Sequence, residues 1–386
     1  MKKTAPIFLA FLCMGFGDAV ATFVGKAKDA FELTNFQAQL VSFMGFIMFG
    51  LLSVPMGILQ EKISKKYTLL IGLFFAFVGV LVVLIAGLSS YSAFLCSVLL
   101  LGAGAAILQV AGNPIMRDVS TEGTYSSNLS LGQFIKAIGS NTAPVIFFLF
   151  ALFATRASGQ DTDKNFEWNV VFAIFAVGIV ITMISVALLK IKETKSDGVV
   201  SIGSCLALMK NPYVLSMVVG IFVYVGAENC VSNGMPIYFS EKFGVSSSLA
   251  TQYVSYFFLA IMTARLIGAF ILRRISPKLF LSISAMLSLL GFAMMLPEQK
   301  ILTTIALFVI AVGYANIFPL IFSMAIDKIP EKSNELSGLM VTAIVGAAFL
   351  PLLMGAVADK LGILIGFVVP AIATAYILIL SLRKTN

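Results

Sequence analysis

The chain contains no histidine. That absence removes imidazole metal ligands, imidazole general bases and the usual hydrolase triads. Charge is the second shortage: Asp, Glu, Lys and Arg make up 11% of the 386 residues, against about a quarter in a soluble domain. A water-facing surface cannot be built from so little charge, so most of the surface must face lipid. Cysteine is sparse too. Cys13, Cys96, Cys205 and Cys230 share no close spacing and lie in or beside apolar segments, giving neither a disulfide framework nor a metal signature. The single tryptophan, Trp168, stands at a loop edge and is expected to anchor at the membrane interface. What abounds is apolar or small: 59% hydrophobic residues, mean hydropathy +1.01, 34 Phe and 31 Gly. Small residues let helix backbones approach closely in a bilayer. The formal charge of +8 forms no basic stripe with interleaved aromatics, so nucleic acid is not an expected partner.

A spanning helix needs about 20 apolar residues. Twelve such stretches lie near 5–24, 38–59, 67–88, 91–116, 128–153, 169–189, 213–238, 247–272, 277–296, 300–326, 334–357 and 362–382. The first contains Asp18, is too long for a signal-peptide core and precedes no small-residue cleavage site, so it reads as a retained helix. With the N-terminus in the cytoplasm, the inner segments hold 17 basic residues and the outer loops 7. That bias predicts both termini inside and loops that meet anionic lipid. Asp18, Lys136, Glu228 and Arg265 are the charged residues well inside spans, away from the ends where Lys278, Lys300 and Glu335 stand, and they sum to zero. Such groups persist in a bilayer where they face a polar cavity or each other.

The polar connection 190–212 divides the spans six and six and exposes a parallel repeat. Met14-Gly15-Phe16-Gly17-Asp18 in span 1 matches Tyr224-Val225-Gly226-Ala227-Glu228 in span 7. Gln109 to Pro114 in span 4 matches Gly313 to Pro319 in span 10, and Lys136 to Gly139 in span 5 matches Thr342 to Gly346 in span 11. Gly57 to Lys66, read as the loop after span 2, pairs with Arg273 to Lys278 after span 8. The expected fold is all-α: twelve transmembrane helices in two pseudo-symmetric six-helix bundles, residues 1–189 and 213–386, joined by the 190–212 linker. Duplicated bundles of this kind suit secondary transporters, with a site between the halves near mid-membrane.

The whole chain resembles the major facilitator superfamily. Gly57-to-Lys66 is a degenerate form of its G-x-x-x-D-R-x-G-R-R loop, with Glu61-Lys62 for the acid–base pair and Ser64 where the second glycine belongs. Leu33-Thr34-Asn35-Phe36-Gln37-Ala38, Gln109 to Pro114, Tyr224 to Glu228 and Phe318 to Ser323 together resemble the fucose:proton symporter family, especially its glucose/galactose branch. The resemblance implies import of a monosaccharide across a plasma membrane, the bacterial inner membrane by analogy, driven by H+ or Na+ and without a cofactor. The chain departs from the family in carrying its span 1 acid at Asp18 rather than near Ala21, and in placing Lys136 where a neutral polar residue is usual.

Sugar recognition needs amides and carboxylates for paired hydroxyls and aromatic faces for the ring. The candidates for substrate are Gln109 and Asn113 on one face of span 4, Gln133 and Lys136 in span 5, Asn229 and Asn233 in span 7, Gln252 and Tyr256 in span 8, and Asn316 in span 10. Asp18 and Glu228 are the candidates for binding the coupling cation, a bound Na+ near either being one form of that role. Arg265, Glu61 and Lys62 are candidates for gating or structure. Each amide has a bland alternative, an interhelical hydrogen bond worth about 0.6–2 kcal/mol. Asn113-Pro114 has another, a kink where proline removes a backbone bond. Two rival readings keep the fold: a transporter of an anionic metabolite, motivated by Lys136, and a drug or metabolite exporter. An intramembrane enzyme is not expected, because histidine is absent and the two acids do not sit in paired motifs. A channel is disfavoured by the two-unit repeat. The sequence carries no oligomeric signature.

Overall fold

The computed structural model describes residues 4–19, 23, 27, 30–33, 35–86, 90–156, 164–191, 193, 201–245 and 247–383. Among the described residues the regular structure is entirely helical. The helices are α1 (Ala5–Asp18), α2 (Asn35–Ile63), α3 (Lys65–Ala86), α4 (Tyr91–Val119), α5 (Tyr125–Arg156), α6 (Lys164–Ala187), the short α7 (Ile202–Leu208), α8 (Pro212–Phe243), α9 (Ser247–Ile271), α10 (Pro277–Met295), α11 (Lys300–Tyr314), α12 (Ile317–Lys328), α13 (Ser333–Thr342), α14 (Gly346–Leu361), α15 (Ile363–Gly366) and α16 (Val368–Leu382). Ten helical stretches among the described residues are long and apolar enough to cross a membrane, and α1 is a shorter apolar helix. Together with the more polar α5, they occupy the places of the twelve expected spans.

Packing groups the chain into two units. One holds Met1–Ser120, Ile135–Ile202 and Glu331–Thr342; the other holds Thr121–Phe134, Gly203–Pro330 and Ala343–Asn386. In the first, α4 is the hub, with α1, α2, α3 and α13 against it. In the second, α8 is the hub, with α9, α12, α14 and α16 against it.

Glycine placement shows why these apolar helices pack as they do. A Cβ on Gly139 of α5 would overlap the Leu12 carbonyl of α1, and one on Gly346 at the start of α14 would overlap the Phe222 carbonyl of α8. A Cβ on Gly79 would lie 2.8 Å from Ser97 O and one on Gly104 2.7 Å from Gly72 O, where α3 crosses α4. Gly291 and Gly313 repeat this where α10 crosses α11, at 3.1 Å from Ala306 O and 2.7 Å from Ser284 O. Equivalent crossing points are thus 207 to 212 residues apart in the chain. The repeat read from side-chain motifs is also a repeat of backbone contacts, one set inside each unit.

Four expectations need correction. Gly57 to Lys66 is not a loop: α2 runs to Ile63 and α3 starts at Lys65, with Ser64 alone between them at φ 92°. That positive φ is why the related motif places glycine there. Trp168 is not an interface anchor; it is 2% exposed and packs in an aromatic cluster with Phe23, Phe94, Phe147 and Phe172. Spans 10 and 11 are not continuous helices. The first breaks between α11 and α12 at Ala315 and Asn316, and the second passes through a 3-10 turn at Ala343–Val345 between α13 and α14. Finally, charges at helix ends are not all solvated. Lys65 and Asp118 form a 2.7 Å ion pair with both side chains 1% exposed, and Glu335 is fully buried. Glu193 adds a cap to α3, accepting from the amides of Lys65 at 2.7 Å and Lys66 at 3.1 Å.

Candidate functional site

Pro114 sits inside α4 and has no amide hydrogen, so the Val110 carbonyl one turn earlier loses its helical donor. A carbonyl in a bilayer must still be satisfied. Ser337 of α13 supplies the bond, its hydroxyl donating to Val110 O at 2.5 Å. Pro319 of α12 does the same to Ala315 one turn earlier, at the span 10 break. There the donor is Arg265 of α9, whose Nε lies 3.0 Å from Ala315 O. The two prolines occupy matched repeat positions, but one freed carbonyl takes a neutral donor and the other a cation.

The second unit builds its polar centre around that cation. Arg265 Nη2 is 3.8 Å from Glu228 Oε1, each side chain being 13–14% exposed. Tyr224, one turn before Glu228 on α8, is 1% exposed, and its hydroxyl lies beside both charged groups. Its ring meets Tyr314 edge-on with centroids 5.8 Å apart, and Tyr314 in turn hydrogen bonds Thr374 at 2.7 Å. Asn316 donates through Nδ2 to Ala264 O at 3.1 Å, and its Oδ1 is buried with no hydrogen-bond partner. Gly268 allows this, because any Cβ there would strike the Asn316 amide. The arrangement therefore places an acid, a resident cation, a phenol and an open amide oxygen at a helix break.

In the first unit, Lys136 of α5 donates to Gln109 Oε1 of α4 at 3.1 Å. Gln109 and Asn113 are both buried, at 2% and 0% exposure. Gly15 of α1 packs on the Lys136 carbonyl, with Asp18 one turn further along α1. The Asp18 side chain lies outside the described residues. Gln133 is buried on α5, its Nε2 without a partner. Asn229 is half-buried and donates to Val225 O of its own helix at 2.9 Å. Asn233, Gln252, Tyr256 and Lys62 are exposed. Glu61 accepts from the side chain of Asn334 on α13, while Gln60 donates to the Asn334 carbonyl at 3.4 Å. Gly57 and Gly338 lie at this contact, where a Cβ on Gly57 would stand 3.1 Å from Gly338 Cα.

Sequence reasoning missed Tyr224 as a site residue, the Ser337 donor and the buried Glu335. A usable signal existed for the donors: each mid-span proline frees a carbonyl four residues earlier and requires a donor from another helix. We expect Ser337→Ala to destabilise the protein by about 1–3 kcal/mol, because Val110 O is left unsatisfied. In a Pro114→Ala background the helix amide returns, and the same change should be nearly neutral. Thermal unfolding of the four proteins forms the test; additive effects would show that Ser337 does not serve the proline-freed carbonyl.

The chain matches the family model described as the Major Facilitator Superfamily over residues 7–344. It is 32% identical to the glucose/galactose transporter of Brucella abortus biovar 1 (strain 9-941), covering 91% of this chain and 86% of that one. It is 25% identical to the L-fucose-proton symporter of Escherichia coli (strain K12), covering 92% and 86%. Among solved structures, the transporter FucP in its outward conformation superposes with a TM-score of 0.85 at 23% identity, covering 99% of each chain.

Proposed function

Because the chain belongs to the Major Facilitator Superfamily, we propose that it imports a monosaccharide with a proton by alternating access, residues 1–189 and 213–386 acting as the two rocking halves. The relatives named for glucose, galactose and L-fucose support the sugar. The observation that carries the ion is Glu228 beside Arg265, at 3.8 Å. Two unit cations about 4 Å apart repel by about 4 kcal/mol at an effective dielectric of 20. A carboxylate already facing a guanidinium is therefore a poor Na+ site, and the relative named as a proton symporter supports the proton. Asp18 is the matched acid of the other half. Gln109, Asn113, Lys136 and Asn316 are the groups we assign to sugar hydroxyls, with Gln133 on the helix of Lys136 and Asn229 next to Glu228 on α8. Asn233, Gln252 and Tyr256 are assigned to the rim of the sugar path, and Glu61 with Lys62 to a gate. The setting is a bacterial inner membrane with both termini in the cytoplasm.

Proteoliposomes loaded at fixed volume test the reading. Labelled glucose, galactose and L-fucose should accumulate under an inward proton gradient and not under an inward Na+ gradient at equal pH. Accumulation driven only by Na+ would overturn the proton assignment. Lys136 favours a second reading, a sugar carrying a carboxylate, since its ammonium is held on Gln109 at 3.1 Å. Galacturonate and gluconate belong in the same panel, and uptake of these acids with none of the neutral sugars would select that reading.

A further inference from the structure

A cavity of about 490 Å³ opens at one end of the second unit, away from Glu228, where the N-terminal ends of α8 and α10 meet the C-terminal ends of α12 and α16. Its walls divide by chemistry. Met217, Met324, Ile329 and Leu380 line it with apolar surface, whereas Lys278, Lys328 and Arg383 bring three cations to it. Asp327 is the acid next to the Tyr213 phenol of the same wall, so the net charge around the cavity stays positive.

The uncharged polar groups of the wall are already engaged. The Tyr213 hydroxyl donates to Met324 O at 3.0 Å, and the Tyr376 hydroxyl donates to Ser216 O at 3.0 Å. Ser216 itself donates to Tyr213 O at 2.7 Å, and the Asn211 side chain accepts from the amide of Tyr213 at 2.9 Å. These bonds tie the neutral groups of the wall to one another. Lys278 gives one of its three ammonium hydrogens to the Arg383 carbonyl, at 2.6 Å, which ties the end of α16 to α10.

We propose that this cavity binds an anionic phospholipid, with the phosphate among Lys278, Lys328 and Arg383 and the first part of an acyl chain along Met217, Met324 and Leu380. A phosphate group alone meets the cations but leaves the apolar wall wet. A zwitterionic lipid carries its own ammonium, which the three cations repel. An anionic amphiphile satisfies both walls, and basic pockets at the ends of membrane helices take such headgroups. The site is separate from the transport centre, and it stands whether or not the sugar assignment does.

Native mass spectrometry of the full chain in detergent reads the binding directly, titrating phosphatidylglycerol, phosphatidylcholine with the same chains, or inorganic phosphate. Phosphatidylglycerol should form a discrete one-to-one adduct at concentrations where phosphatidylcholine forms none. A basic residue near an anionic headgroup is worth a factor of about five in binding. The triple variant Lys278→Gln, Lys328→Gln, Arg383→Gln should therefore lose about a hundredfold in apparent affinity. Met324→Trp, which fills the cavity and leaves the charges in place, should lose the adduct as well, and it carries the test if the triple variant does not fold. Unchanged phosphatidylglycerol binding in Met324→Trp overturns the proposal. So does equal binding of phosphatidylcholine. Inorganic phosphate that displaces phosphatidylglycerol at micromolar concentration would make this a soluble-anion site and overturn the lipid assignment.

Discussion

Glu228→Gln is expected to lose concentrative uptake and to keep exchange. One proton carried per sugar across a gradient of two pH units supports about hundredfold accumulation, since each unit is worth 1.36 kcal/mol. The glutamine variant should plateau near the outside concentration while labelled sugar still enters vesicles preloaded with unlabelled sugar. The physical reason lies in what the substitution preserves. Glutamine keeps the shape and an acceptor oxygen for Arg265 and Tyr224, so the sugar path stays formed, but it cannot exchange a proton. Arg265 keeps its bond to Ala315 O, so the span 10 break remains braced. Normal accumulation would show that Glu228 does not carry the proton and would move that role to Asp18. Loss of both accumulation and exchange would make Glu228 a sugar ligand.

Much of this site is legible in the sequence. A carboxylate in an apolar run costs too much to be incidental, which singled out Glu228, and the repeat placed Asp18 opposite it in sequence. Two kinds of information were absent. The first is which helix crosses which. Arg265 and Ala315 are 50 residues apart and meet only because α9 packs against α11 and α12's entry turn. The second is where a charge at a helix end goes. Lys65 and Glu335 look like solvated connection residues because lysine and glutamate usually are. They are buried because α2 runs straight into α3 after Ser64, and because α13 lies on α2 and α4. Trp168 illustrates the same limit. Tryptophan at the end of an apolar run suits the interface and an aromatic core equally, and it is Phe23, Phe94 and Phe147, brought from elsewhere in the chain, that decide it.

The prolines and glycines make a joint point about how a repeat survives in lipid. With no water to satisfy backbone groups and no hydrophobic drive between helices, the positions under strictest geometric control are those where backbone meets backbone. Val110 with Ser337 and Ala315 with Arg265 are two answers to one proline problem. The second answer uses a charge that lies within reach of Glu228. The first brace is a neutral hydroxyl; the second is electrostatically tied to an acid. The freed carbonyls are matched in the repeat, but their donors are not: Ser337 stands on α13 and Arg265 on α9, helices that the repeat does not pair.

Gly139→Val and Gly346→Val are the substitutions expected to harm the fold most. A Cβ at Gly139 falls on the Leu12 carbonyl and one at Gly346 on the Phe222 carbonyl, both backbone atoms that no rotamer change can move aside. Overpacking a side chain costs about 1–3 kcal/mol when neighbours can shift. Where the obstacle is the backbone of a facing span, relief requires separating α1 from α5, or α8 from α14, along their length. We expect a penalty above about 3 kcal/mol for each, seen as loss of monodisperse protein or a large fall in the unfolding temperature in detergent. Gly355→Ala is the contrast. Nothing lies within 4 Å of its Cβ position, and alanine in a helix interior gains about 1 kcal/mol over glycine, so this variant should melt at or above the parent. The paired design also tests the duplication itself. If the crossings are equivalent, the two valine variants should fail alike; tolerance of valine at one position and not at the other would show that only one half keeps its helices in backbone contact.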